Sequence, residues 1–121
     1  MKRKSRTKTA LDLWKKYVKQ RDGYTCRRCG KSRPDVQIQA HHVISSTNWR
    51  LRFDPLNGVC VCAGCHMGFF HGNDPFDWPI VEDWYKKNVD WDYLQANRTG
   101  KVNNDYDAII NSFKQALEGK K

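Results

Sequence analysis

The chain has 121 residues, five of them cysteine, and carries 22 Lys or Arg against 13 Asp or Glu, a formal net charge of +9. That length fits one domain with a modest core, and apolar runs of only a few residues exclude a membrane-spanning helix. The charge is polarised: residues 1–52 hold 15 basic and 3 acidic side chains (+12) and residues 53–121 hold 7 and 10 (−3), so the N-terminal half is expected to meet a polyanion.

Residues 1–8, MKRKSRTK, offer five positive charges and nothing to bury, and are expected to form a flexible basic arm. Thr9 is placed to cap a helix running to about Arg21, with Leu11, Trp14 and Val18 on its buried face. Asp22-Gly23 breaks that helix, and Cys26 to Cys29 makes a tight loop closed by Gly30. Residues 36–44 read as a strand because Val36, Ile38 and Ala40 alternate with polar positions. A polar loop at 45–50 leads to a turn-rich connection marked by Pro55 and Gly58, then to a short apolar strand, VCVC, at 59–62. Cys65 to Phe70 opens a helix that stops near Gly72. Beyond Pro79 the stripes Val81/Trp84/Tyr85, Trp91/Leu94 and Ile109/Phe113/Ala116/Leu117 predict amphipathic helices. The class is α+β: a single domain at 9–118, with a core at about 22–72, an N-terminal helix and a helical C-terminal extension at 79–118.

With no apolar signal core after the basic start, a reducing cytoplasm is the expected compartment, and the cysteines then read as metal ligands rather than disulfides. Cys26-x2-Cys29 and Cys62-x2-Cys65 form two knuckles. A two-residue spacer lets both thiolates of a pair turn toward one ion, and two pairs complete a tetrahedral four-cysteine site for structural Zn²⁺. A dithiol redox centre would account for only one pair. Cys60, left over, is expected to be a buried free thiol.

Between and beside the knuckles lie AHHVI, LNGVC and CAGCH. Together they resemble the three parts of the HNH motif of the His-Me finger (ββα-metal) endonucleases. His42 to Asn57 spans 15 positions and Asn57 to His66 spans 9, similar to the family spacing. The flanking CxxC pairs and the lead-in RDGYTCRRCG resemble its zinc-containing McrA-type branch. From about residue 9 to 118 the chain also resembles small phage-encoded HNH proteins and, less closely, NinG-like recombination proteins. The resemblance implies a small ββα-metal core that hydrolyses phosphodiester bonds with one divalent ion. In that scheme His42 is the general base, His41 and His66 hold the catalytic ion, and Asn57 orients the loop that carries the base. A neutral imidazole suits proton abstraction because its unperturbed pKa is about 6.5. Imidazole ligands favour Mn²⁺, Ni²⁺, Co²⁺ or Zn²⁺, while phosphate and water oxygens keep Mg²⁺ in play. His71 follows His66 by five residues, about 140° around an ideal α-helix. It joins the ion only if a local bulge near Gly68 corrects that angle, and otherwise faces phosphate or solvent.

The implied partner is DNA, with no membrane, gripped along its backbone by Arg27, Arg28, Lys31, Arg33, Arg50 and Arg52, by the first helix and by the arm. The phage likeness adds a recombination or packaging protein as a partner and the bacterial host cytoplasm as location. Two competing readings remain open: a noncatalytic zinc-stabilised module that binds DNA or a partner protein, and an RNA-cleaving toxin on the same scaffold.

Overall fold

The computed structural model describes residues 5–72, 78–100 and 102–119. Among them are five α-helices and one two-stranded antiparallel sheet, an α+β arrangement. No helix among the described residues is long and apolar enough to cross a membrane.

Helix α1 spans Arg6–Arg21 and starts earlier than its sequence predicts. Ser5 takes the capping role expected of Thr9: its hydroxyl accepts the Lys8 N–H at 3.1 Å, while the Thr9 hydroxyl donates to the Ser5 carbonyl at 3.1 Å. Residues 5–8 of the expected arm therefore form the cap and first turn, where Arg6 pairs with Asp107, and residues 1–4 lie outside the described residues. The buried stripe is Ala10, Trp14 and Val18, with Leu11 half-buried beside it. After α1, Gly30 sits at φ +81°, the left-handed turn that closes the Cys26–Cys29 loop.

Strand β1, Ile38–His42, pairs with β2, Gly58–Cys62, in a register running from Ile38↔Cys62 to His42↔Gly58. It is shorter than the 36–44 run because Val43 and Ile44 turn their N–H groups to the backbone and side-chain oxygens of Asn57. All five residues of β2 are buried. Val59 and Val61 pack with Phe70, Val81 and Tyr85. Gly58 meets α1 so closely that an added Cβ would stand 2.6 Å from both Trp14 and Val18.

A three-residue helix α2, Ala63–Cys65, leaves the end of β2 and passes directly into a five-residue π-helical turn, His66–Phe70. Helices α3 (Trp78–Asn88), α4 (Trp91–Asn97) and α5 (Tyr106–Glu118) follow. Val81 and Tyr85 of α3 cover β2, and Leu94 of α4 packs with Ile44 and Leu51. Ile110 and Phe113 bring α5 onto α1, so Ile110 takes the buried place expected of its half-buried neighbour Ile109.

Candidate metal centres

The two knuckles converge. Cys26, Cys29, Cys62 and Cys65 hold their sulfurs within 4.8 Å of one another, and Cys29 Sγ lies 3.7 Å from Cys62 Sγ. Four thiolates at about 2.3 Å from a tetrahedral zinc ion stand about 3.8 Å apart, so the cluster fits that ion. Each loop turns its own backbone inward: Cys29 N–H points at Cys26 Sγ (3.5 Å) and Cys65 N–H at Cys62 Sγ (3.3 Å). Burial opposes ionisation of Cys26, but backbone hydrogen bonds from Cys29, Cys62 and Arg28 prevail and bring its pKa down to about 6. Burial pushes the Cys65 thiol up to about 12, against the nearby Arg28 guanidinium. A shared cation resolves this conflict, since it favours the thiolate at every position. Cys60 stands outside the cluster as a buried free thiol, raised to about 11 first by burial and then by Asp22.

The second cluster is built from imidazoles. Strand β1 ends at His42, and its last two rings leave on opposite sides. His41 is buried against Phe70 and Tyr85, with ring centroids 4.8 and 6.2 Å away. His42 stacks on Trp14 of α1 at 3.8 Å with an interplanar angle of 5°. The ring nitrogens of His41, His66 and His71 come within 4.8 Å of one another. His71 joins because the chain after α2 is not α-helical. The His71 N–H bonds the His66 carbonyl at 3.0 Å, an i→i+5 closure that stacks the two residues instead of setting them 140° apart. Their Nε2 atoms then lie 3.0 Å from each other. Two nitrogens bound at right angles to one ion at about 2.1 Å would stand about 3.0 Å apart, so this pair fits a shared cation.

Hydrogen bonds select which nitrogens carry lone pairs. The Arg52 carbonyl can only accept, so His42 Nε2, 2.9 Å away, is the protonated nitrogen and Nδ1 is the free base. In the same way Gln39 Oε1, 2.6 Å from His66 Nδ1, leaves Nε2 of His66 unprotonated and facing His71. The Tyr85 hydroxyl lies 2.7 Å from His41 Nε2. Burial, with His66, His71 and His42 close by, lowers His41 to about 3. Burial also lowers His66, aided by His71, and lowers His42, where Lys15 and Arg52 reinforce it against the Arg52 carbonyl. His41, His42 and His66 are thus biased toward the neutral form, which has a lone pair to donate.

Asn57 fixes the loop between the strands. It is fully buried; Oδ1 accepts the Ile44 N–H at 2.7 Å, and Nδ2 donates to the carbonyls of Ile44 (2.9 Å) and Leu51 (3.2 Å). The residue that holds His42, Arg52, is the next one after Leu51.

All four histidines border one cleft of about 520 Å³, together with Lys15, Ser45, Ser46 and Tyr85. None of the six basic residues expected on DNA lines it. Arg27 donates to the Asn88 carbonyl at 2.6 Å, Arg28 lies 3.9 Å over the Phe69 ring, and Arg33 lies 4.0 Å over Tyr24. Arg52 stacks 4.8 Å over Trp49, whereas Lys31 and Arg50 are exposed. Among the described residues the basic side chain at the cleft is Lys15, which sequence reasoning included only as part of a generally basic helix. It missed Gln39, Tyr85 and Trp14 as partners of the histidines; only Gln39, two positions before His41, offered a local signal. Compared with family models, curated proteins and solved structures, the chain matches none.

Proposed function

We propose that the chain is a metal-dependent DNA endonuclease of HNH type that hydrolyses phosphodiester bonds in the histidine cleft. One observation carries this reading. Three imidazoles converge on one point, and a fourth, with its Nδ1 lone pair fixed by the Arg52 carbonyl, borders the same cleft. A purely structural metal site does not require that fourth ring.

In the proposed reaction His42 Nδ1 accepts a proton from the attacking water, and the charge that develops on its ring is shared with the Arg52 carbonyl through Nε2–H. Trp14 holds the ring flat, and Asn57 holds the loop that presents the carbonyl. His41, His66 and His71 would hold a divalent cation, which when bound neutralises the scissile phosphate and the leaving oxygen. Three imidazoles favour Mn²⁺, Co²⁺, Ni²⁺ or Zn²⁺ over Mg²⁺. Lys15 is placed to steady a nonbridging oxygen at the cleft edge. The four-cysteine cluster, with no position left for water, has a structural role as a zinc site.

The test is cleavage of supercoiled plasmid by purified protein with each divalent ion, alongside His42→Ala and an RNA substrate of equal length. The reading expects metal-dependent cutting of DNA and a loss of about 10²–10⁴-fold in His42→Ala, the usual range for a general base. Cutting of RNA alone would move the substrate class. Absence of cutting with every ion, or equal cutting by His42→Ala, would overturn the assignment.

A further inference from the structure

Beside the histidine cleft lies a second cleft of about 620 Å³ that the reaction above does not use. The two share Val43, Ser45 and Trp78 as a common wall. The second is lined further by Trp91, Gln95, Arg98, Glu82 and Asn48. Its size falls in the ordinary range for small-molecule sites, about 300–1,000 Å³.

The chemistry of this lining is specific. Trp78, the first residue of α3, is 53% exposed and lends its ring to the cleft. Trp91 is braced from behind by Tyr85, which it stacks at 5.7 Å and 11°. Gln95 is oriented by Arg98, whose Nη1 donates to Gln95 Oε1 at 3.1 Å. That bond assigns the amide, and Gln95 Nε2 is then a buried donor with no acceptor. A buried donor without a partner is costly, about 1–3 kcal/mol, which favours a turn of the amide toward the cleft when a ligand there supplies the acceptor. Glu82 adds an acceptor to the same lining.

We propose that this cleft receives one nucleobase swung out of the stack, a neighbour of the phosphate being cut. A nucleobase is planar, stacks on tryptophan, and carries acceptors for Gln95 Nε2 and amino groups for Glu82. A second phosphate would be drawn by Arg98 but repelled by Glu82 and would leave the tryptophan faces unused, and an aliphatic side chain would leave the amide unpaired. The proposal rests on the polynucleotide reading of the histidine cleft, since the shared wall is what joins the base to the reacting phosphate. It makes the preferred substrate a strand with an unpaired nucleotide at the cut, such as a bulge, flap or branch, because an unpaired base is extruded at the least cost.

The experiment measures binding of the wild-type protein, without added divalent ion, to two duplexes that differ by a single bulged 2-aminopurine. Wild type is expected to bind the bulged duplex about tenfold more tightly and to change the fluorescence of its 2-aminopurine. Gln95→Leu, which keeps the side-chain volume, should reduce that preference to near unity, with zinc content and circular dichroism unchanged. Because Gln95 is half-buried, Trp78→Ala, which removes an exposed ring, serves as the second variant and should reduce the preference as well. Equal wild-type affinity for the two duplexes, or a preference that survives in both variants, would overturn the proposal. Failure of the nuclease reading has a different signature: no plasmid cutting, with the bulge preference intact.

Discussion

Asn57 is the place where fold and chemistry can be separated by a single substitution. Replacing it with Ala removes three hydrogen bonds at once and leaves the Ile44 N–H and the Ile44 carbonyl buried without partners, while the Leu51 carbonyl keeps the Asp54 N–H at 3.0 Å. At about 1–3 kcal/mol for each unsatisfied group, with some relaxation of the loop, the loss should be about 4 kcal/mol. That is a large part of the 5–15 kcal/mol that holds a typical domain together. Urea titration followed by tryptophan fluorescence would measure it, since Trp14 donates to the Asp54 carbonyl at 2.9 Å within the same loop. Asn57→Asp sharpens the test, because its volume is almost unchanged. A carboxylate can still accept from Ile44 N–H, but it faces the Ile44 and Leu51 carbonyls with oxygen in place of an N–H donor. Only the protonated acid can donate there, so its folded-state pKa is raised above the unfolded value. Its stability relative to wild type should therefore be greater at pH 5 than at pH 8, lost as the pH rises through the raised pKa. An Ala variant within 1 kcal/mol of wild type, or an Asp variant indistinguishable from it at pH 8, would refute the role given to this side chain.

Cys26→Ser should lower the zinc bound per chain and bring thermal unfolding to a lower temperature, both checked by metal analysis and circular dichroism; full zinc retention would count against the four-sulfur site. Gly58→Ala drives a Cβ to 2.6 Å from Trp14 and Val18. It should cost about 1–3 kcal/mol, read by the same urea titration, and an unchanged midpoint would show that α1 can shift freely. Gln39→Leu removes the acceptor that orients His66, and should weaken Co²⁺ binding at the histidine cluster about 10–100-fold by calorimetry while leaving zinc in place. Equal Co²⁺ affinity would mean that His66 needs no such guide.

The parts of this chain that the sequence discloses are those whose geometry is local. Two-residue spacers bring cysteines together whatever surrounds them, and the Cys26, Cys29, Cys62 and Cys65 cluster lies where the spacers imply. The strands were legible from alternation, although the ends were not: β1 stops at His42 because Asn57, fifteen residues away, captures the next two N–H groups. The pairing of Ser5 with Lys8 shows the same limit at a helix start, where Ser5, Thr7 and Thr9 all carry a hydroxyl and Ser5, not the expected Thr9, caps the helix. His71 was left open by α-helical arithmetic, and only the π-turn resolves its position. Tyr85 and Trp14 were legible as buried stripes, but a stripe does not say which ring a side chain will touch. Their meeting with His41 and His42 depends on how two distant helices pack on the sheet.

The short β2–α2 segment ties the two clusters to one stretch of backbone. Cys62 ends β2, Cys65 ends α2, and His66 is the very next residue. One peptide bond thus joins a residue of the four-cysteine cluster to a residue of the histidine cluster. Whatever fixes the backbone at Cys65 therefore also fixes the start of the π-helical turn that sets His66 opposite His71. A perturbation of either cluster would be felt at the other, through a segment too short to absorb it.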